Sequence, residues 1–391
     1  MIERRNMFCI RKGNIHDAVH KEAYVADILV DGGIIKEIGV NITVPDGTGI
    51  INAEGKEVYP GFVEAHSHIG LRCYGASSGE HNEVNDICSP QLRAIDGVNP
   101  MDPAFEKARN AGVTCVCTGP GSANVLGGTF TAMKTVGKRV DNMIVKKEIA
   151  MKCAFGENPQ NTYRSKRDSS KMTTAAILRE ALWKAKRYQQ KIEAAGNDKT
   201  KYPEIDIKME ALLPVMRGEM PLKAHVHQTE DIFTAIRIAE EFGVRITLDH
   251  VTQGHFVAEE LAQTDLYVAV GPTLNYPSKV EVRNKDWAAP GILSRAGCHV
   301  SIITDNPVMR QELLPLCAGF AIKAGMDPFD ALRAITICPA EHTGIEERVG
   351  SLEVGKDADI VIANGCPFEI ATQIEMVFIN GEVVNGIHSA N

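Results

Sequence analysis

No window of the 391-residue chain approaches the roughly 18 consecutive apolar residues that cross a bilayer, which excludes a helical membrane protein. Basic charge is also short. Lys and Arg number 42 against 50 Asp and Glu, a formal net charge of -8, so there is no basic face for nucleic acid or anionic lipid. The first ten residues hold no long apolar segment followed by a small-residue cleavage site, and a cytoplasmic protein is expected. The ten cysteines are scattered. Cys115-Val116-Cys117 is CxC inside an apolar strand rather than CxxC, which argues against a zinc knuckle or a disulfide framework and for buried thiols. The glycine-rich stretch 119–128 follows a strand but lacks GxGxxG spacing, so it reads as a tight loop and not a dinucleotide cradle. What these absences leave is a soluble protein that handles small molecules.

Hydrophobic residues make up 44% of the chain, enough for one large core and a smaller satellite. Both ends are strand-rich. Ala26–Gly39 is two apolar runs around Gly32-Gly33, a hairpin signal, and 374–384 carries a second one at Asn380-Gly381. Residues 1–58 and 346–391 are therefore expected to build one composite β-sandwich, with 59–345 as the large domain. That middle alternates strand and helix. Asp102-Pro103 opens a helix before the β-branched run 112–118; residues 174–195 carry one apolar stripe, capped by Thr173 or Thr174; a further helix runs from Thr229 to Phe242. Repeated units of this length predict a parallel sheet with helices outside it.

The polar residues favour a (β/α)8 TIM barrel over an open sheet, because they recur at the C-terminal ends of the strands. Val58–His68 ends in His66 and His68, spaced i, i+2, which puts both side chains on one face of a strand tip. Glu157, His225, His227, His250 and Asp305 each follow a predicted strand in the same way. In a barrel those tips share one mouth, where active sites of this fold lie. Histidine nitrogens and carboxylate oxygens converging there suit one or two divalent metal ions, zinc above all, with a position open for water. Glu157 competes for one ligand place with Lys152, which would bind only if carboxylated on its amine. Asp305 is expected to act as base toward the attacking water. His227 would polarise a substrate carbonyl, Lys279 would meet an anionic group, and His255 reads as structural. The long polar insertion 69–100 would serve as a lid, as a contact between copies in a homo-oligomer, or as a solvated loop.

Three stretches carry a resemblance: Pro60-Gly61-Phe62-Val63-Glu64-Ala65-His66-Ser67-His68, the ordered series His225, His250 and Asp305, and the tail 349–361. Together they resemble the amidohydrolase superfamily, in its imidazolonepropionase-like branch. The resemblance implies a metal-dependent hydrolase with a closed (β/α)8 barrel and a small β-sandwich from both ends. It implies that His66, His68, His225 and His250 bind metal and that Asp305 touches the metal while serving as base. The expected reaction is hydrolysis of a C–N bond in a small amide, cyclic amide or peptide-like substrate. The alternatives are deamination of an amino-heterocycle and a non-catalytic scaffold of the same fold.

Overall fold

The computed structural model describes residues 7–165 and 169–386. The chain opens with β1 (Phe8–Ile15), β2 (Tyr24–Asp31), β3 (Ile34–Gly39), β4 (Gly49–Asn52) and β5 (Glu57–Pro60). The predicted hairpin joins β2 to β3 through Gly32 and Gly33, whose φ of 61° and 80° are the left-handed values that a tight hairpin turn requires. The chain then leaves this sheet in a single residue. β6 (Phe62–Ser67) begins just past Gly61, where a Cβ would lie 2.1 Å from the Thr114 hydroxyl, so only glycine fits the crossing.

Next come α1 (Pro103–Asn110), β7 (Val113–Thr118), β8 (Leu126–Lys134), β9 (Ile144–Ala154), α2 (Glu157–Thr162), α3 (Lys171–Ala195) and α4 (Ile207–Met216). They are followed by β10 (Leu222–Val226), α5 (Thr229–Phe242), β11 (Ile246–His250), α6 (Ala258–Ala262), β12 (Tyr267–Val270), α7 (Ala289–Ala296) and β13 (His299–Ile302). Asp102 caps α1 as expected, accepting from the Ala104 amide ahead of Pro103. α3 starts earlier than its apolar stripe suggests. Its cap is Ser170, with Thr173 completing a capping box, so the reciprocal hydrogen bonds rather than the stripe set the boundary.

β6 to β13 form one eight-stranded sheet in sequence order. The sheet is nearly closed by residues 334 and 335, which link its two edges: Ala334 O accepts from Ile302 N of β13, and Ile335 O accepts from Val63 N of β6, both at 2.8 Å. The sheet is not wholly parallel. β8 runs antiparallel to β7 and to β9. The reason is connection length: residues 119–125 and 135–143 are too short for the crossover of a dozen or so residues that parallel neighbours need. The other neighbouring pairs are parallel, so the C-terminal tips of seven strands still share one end.

After α8 (Leu314–Lys323), α9 (Pro328–Arg333) and α10 (Ile337–Thr343), the chain returns as β14 (Ile360–Ala363), β15 (Ile374–Ile379) and β16 (Glu382–Gly386). β14 pairs antiparallel with β5, Val58 facing Ile362, so strands from both ends share one hydrogen-bonded sheet. Ile10, Ile28, Val30, Ile360 and Phe378 form the buried cluster common to the two ends. Among the described residues no helix is long and apolar enough to cross a membrane.

Candidate metal centre and active site

Six of the seven strand-end residues meet; Glu157 does not join them. The rings of His66 and His250 lie 5.0 Å apart between centroids, those of His225 and His250 4.4 Å, and those of His225 and His227 4.6 Å. Asp305, in the turn after β13, brings Oδ1 within 3.5 Å of His66 Nε2 and 3.3 Å of His68 Nε2. Backbone strain helps to aim these groups, since His250 and Asp305 both hold positive φ, 72° and 52°. Glu64 ties the two edges of the sheet together. Its buried carboxyl accepts from the His66 amide and from the amide and hydroxyl of Thr304, the residue before Asp305. Burial raises the Glu64 carboxyl to about 7.

The hydrogen bonds fix which nitrogen of each ring is free. His68 Nδ1 donates to Gly119 O at 2.7 Å and His250 Nδ1 donates to Gly271 O at 2.9 Å, leaving both Nε2 atoms as bare lone pairs. His66 Nδ1 faces the Asp249 carboxylate at 3.0 Å, and its Nε2 is buried without a hydrogen-bond partner. His66 and His68 thus present Nε2 lone pairs toward one carboxylate, and a buried nitrogen left without a partner, as His66 Nε2 is, is what a cation would satisfy. His66, His68 and Asp305 bring one donor atom each within 4.8 Å of one another.

A second trio lies beside the first. His225, His227 and Glu281 also converge within 4.8 Å. Glu281 escapes the strand-end pattern because it comes from a short turn well past β12, and no spacing in the sequence marks it. Glu157, expected at the centre, is outside both trios. Its Oε1 accepts from the Glu281 amide, and its own amide donates to Glu281, so the two residues clasp through their backbones and only Glu281 points its carboxylate at the histidines. Lys279 reaches the pocket but is committed, 2.5 Å from Glu281 Oε1 and 2.7 Å from Asn158 Oδ1. His255 lies apart, against the Phe256 ring.

Lys152 sits in the barrel interior, fully buried, with Nζ 3.4 Å from Asp249 Oδ2; Lys223 Nζ is 2.7 Å from Asp249 Oδ1. Burial, opposed by Asp249 and reinforced by Lys223, lowers the Lys152 ammonium from its ordinary value. Asp249 behaves in the opposite way: burial disfavours its charge, but His66, Lys223 and Lys152 hold it well below the usual carboxylate range.

The histidines open into a pocket of about 390 Å³, the size of a small-molecule site. Its walls include Ser122 from the glycine-rich loop and Arg72, His81 and Asn82 from the long insertion, so part of that insertion lines the pocket while much of the stretch 74–86 is exposed. Burial makes four of these histidines hard to protonate: His250 falls to about 3, His66 is lowered, and His225 and His227 lie well below 6.5. The neutral form is the one that ligates metal. In the unfolded chain these rings take protons near 6.5, so their stabilising contribution is complete above that pH and is lost as the pH falls through the folded values. The urea midpoint of metal-free protein is expected to drop steadily from pH 7 to pH 5, and His250→Asn to make that drop shallower. An unchanged midpoint over this range would contradict the buried neutral cluster.

A nearly closed barrel sheet with histidines and a carboxylate meeting at its C-terminal mouth defines a class of barrel proteins. Residues 58–384 match the model of the Amidohydrolase family, and the chain belongs to that family. Among its relatives is "Amidohydrolase tasK" of Hapsidospora irregularis, 28% identical over 390 residues, which covers 92% of this chain and 40% of that protein; the chain thus spans less than half of that relative. A dihydroorotase of Acetivibrio thermocellus is 26% identical over 392 residues, covering 91% of this chain and 88% of its own. A crystal structure of an amidohydrolase from Thermotoga maritima MSB8 superposes with a TM-score of 0.93 at 37% identity, covering 96% of this chain and 99% of the other.

Proposed function

We propose that the chain is a metal-dependent amidohydrolase that adds water across a C–N bond of a small amide, cyclic amide or peptide-like substrate. The observation that carries this reading is the convergence of lone-pair Nε2 atoms of His66 and His68 on Asp305 Oδ1 at the floor of the pocket. His66, His68 and Asp305 would hold a divalent ion, with His225 and His250 facing it; nitrogen and oxygen donors in this mixture suit zinc. When bound, such an ion supplies Lewis acidity that makes water reactive near neutral pH.

The chain's own residues do the rest. With a divalent ion held on the histidines beside it, Asp305 would stay ionised despite its burial, so it could orient the attacking water, take its proton and pass it to the departing nitrogen. The Thr252 hydroxyl lies 2.8 Å from His227 Nδ1. With that hydroxyl donating, His227 keeps its proton on Nε2 and can donate to the substrate carbonyl oxygen. Lys279 keeps the Glu281 carboxylate neutralised beside His227.

The test is a screen of dipeptides, lactams, hydantoins and amino-heterocycles against zinc-loaded protein. Hydrolysis that a chelator abolishes and zinc restores is the expected result. Failure of the protein to bind any divalent metal would leave a non-catalytic scaffold instead.

A further inference from the structure

The pocket is out of charge balance. Among the described residues that line it, Asp305 is the one carboxylate, while Arg72, Lys279 and Lys285 are cations. Asp305 faces His66 and His68, and Lys279 is neutralised from behind by Glu281. Lys285 has neither arrangement. Its Nζ donates to Asn275 Oδ1 at 2.6 Å, a neutral acceptor, and among the described residues no carboxylate comes within ion-pair distance of it or of the Arg72 guanidinium. Burial pulls the Lys285 ammonium down to about 8; the more distant charge of Asp305 offsets this only in part, and Lys279 adds to the fall. Its field reaches His227 and Asp305, which places it at the reacting end of the pocket and not at the rim. A divalent ion on the histidines would add further positive charge. Half-buried cations facing an enclosed polar cavity are stabilised when a ligand supplies the missing anion.

We infer that the substrate carries a carboxylate next to its scissile amide, and that Lys285, positioned by Asn275 and assisted by Arg72, receives it. The inference rests on the metal-hydrolase reading above and specifies its substrate class. It also reassigns the anion contact: the lysine expected from the sequence, Lys279, is ion-paired with Glu281, whereas the lysine six positions later is held only by the neutral Asn275 side chain.

Hydroxamates separate the two claims, because the hydroxamate head ligates the metal whatever the tail. The probes are the monohydroxamates of succinic and glutaric acid, each paired with the same molecule bearing a carboxamide in place of its free carboxylate. Binding to zinc-loaded protein is measured by isothermal titration. At one of the two tail lengths the acid is expected to bind about tenfold more tightly than the amide. In Lys285→Gln the preference should collapse to near unity, with zinc content and amide affinity retained; Lys285→Arg should keep it. Equal binding of acid and amide at both lengths, or a preference that survives in Lys285→Gln, overturns the carboxylate subsite while the metal centre stands. If neither hydroxamate binds zinc-loaded protein, the metal reading itself fails and the subsite falls with it.

Discussion

Asp305→Asn is expected to lower turnover of any hydrolysed substrate by roughly 100-fold to 10,000-fold, the range for losing a general acid–base group. The fold should survive, because asparagine has the same shape and the turn is held from outside the side chain: Glu64 binds Thr304, and Asn306 O accepts from the His68 amide at 2.7 Å. What the substitution removes is the negative charge beside His66 and His68 and the oxygen able to take a proton from water. Zinc affinity should fall as well, so the variant is compared at saturating metal, with thermal melting as the check on folding. Near-normal turnover at full zinc occupancy would remove Asp305 as the base.

The second large effect is on stability. Asp249 is completely buried between Lys223, Lys152 and His66 Nδ1, at 2.7, 3.4 and 3.0 Å. Asp249→Leu leaves two ammonium groups in the barrel interior with no counter-charge. Breaking a buried ion pair from one side in this way costs about 3–5 kcal/mol. The loss should be read near pH 7 by urea unfolding. It should shrink as the pH approaches ~10.4, where the unfolded lysines also give up their protons and the folded chain no longer suffers by comparison. Replacing Lys152 and Lys223 by Met in the same background should recover much of the stability, since the cost lies in unpaired charge and not in lost volume. A change within about 0.5 kcal/mol for Asp249→Leu, the scale of an ordinary surface substitution, would show that the three charges are not coupled. Because Asp249 also faces His66 Nδ1, the same variant should bind zinc more weakly, as happens when a carboxylate behind a ligating histidine is removed.

The parts of the site legible in the sequence are those fixed by strand periodicity. His66, His68, His225, His227, His250 and Asp305 all end or follow barrel strands, and a parallel sheet brings such tips to one mouth whatever the helices do. The paired ends of the chain were legible for a similar reason, since Gly32-Gly33 and Asn380-Gly381 force hairpins locally. Groups placed by tertiary packing were not. Glu281 and Lys285 sit in irregular chain after β12, where nothing sets a side chain's direction but its neighbours. Glu157 lies one position into α2, and that helix turns its carboxylate to a backbone amide instead of the mouth. Asp249 adjoins a predicted ligand, yet alternation alone says only that it faces away from His250; that it meets two lysines inside the barrel depends on the registers of β9 and β10 against β11. The reversed β8 was visible only in the shortness of its connections.

The central claim is that His66, His68 and Asp305 hold a catalytic divalent ion. The most direct measurement is anomalous diffraction at the zinc absorption edge from crystals of zinc-loaded protein. A peak about 2.0–2.2 Å from Nε2 of His66, Nε2 of His68 and Oδ1 of Asp305 is the result this account predicts. A peak bound elsewhere with this trio empty, or no peak at all, would contradict it.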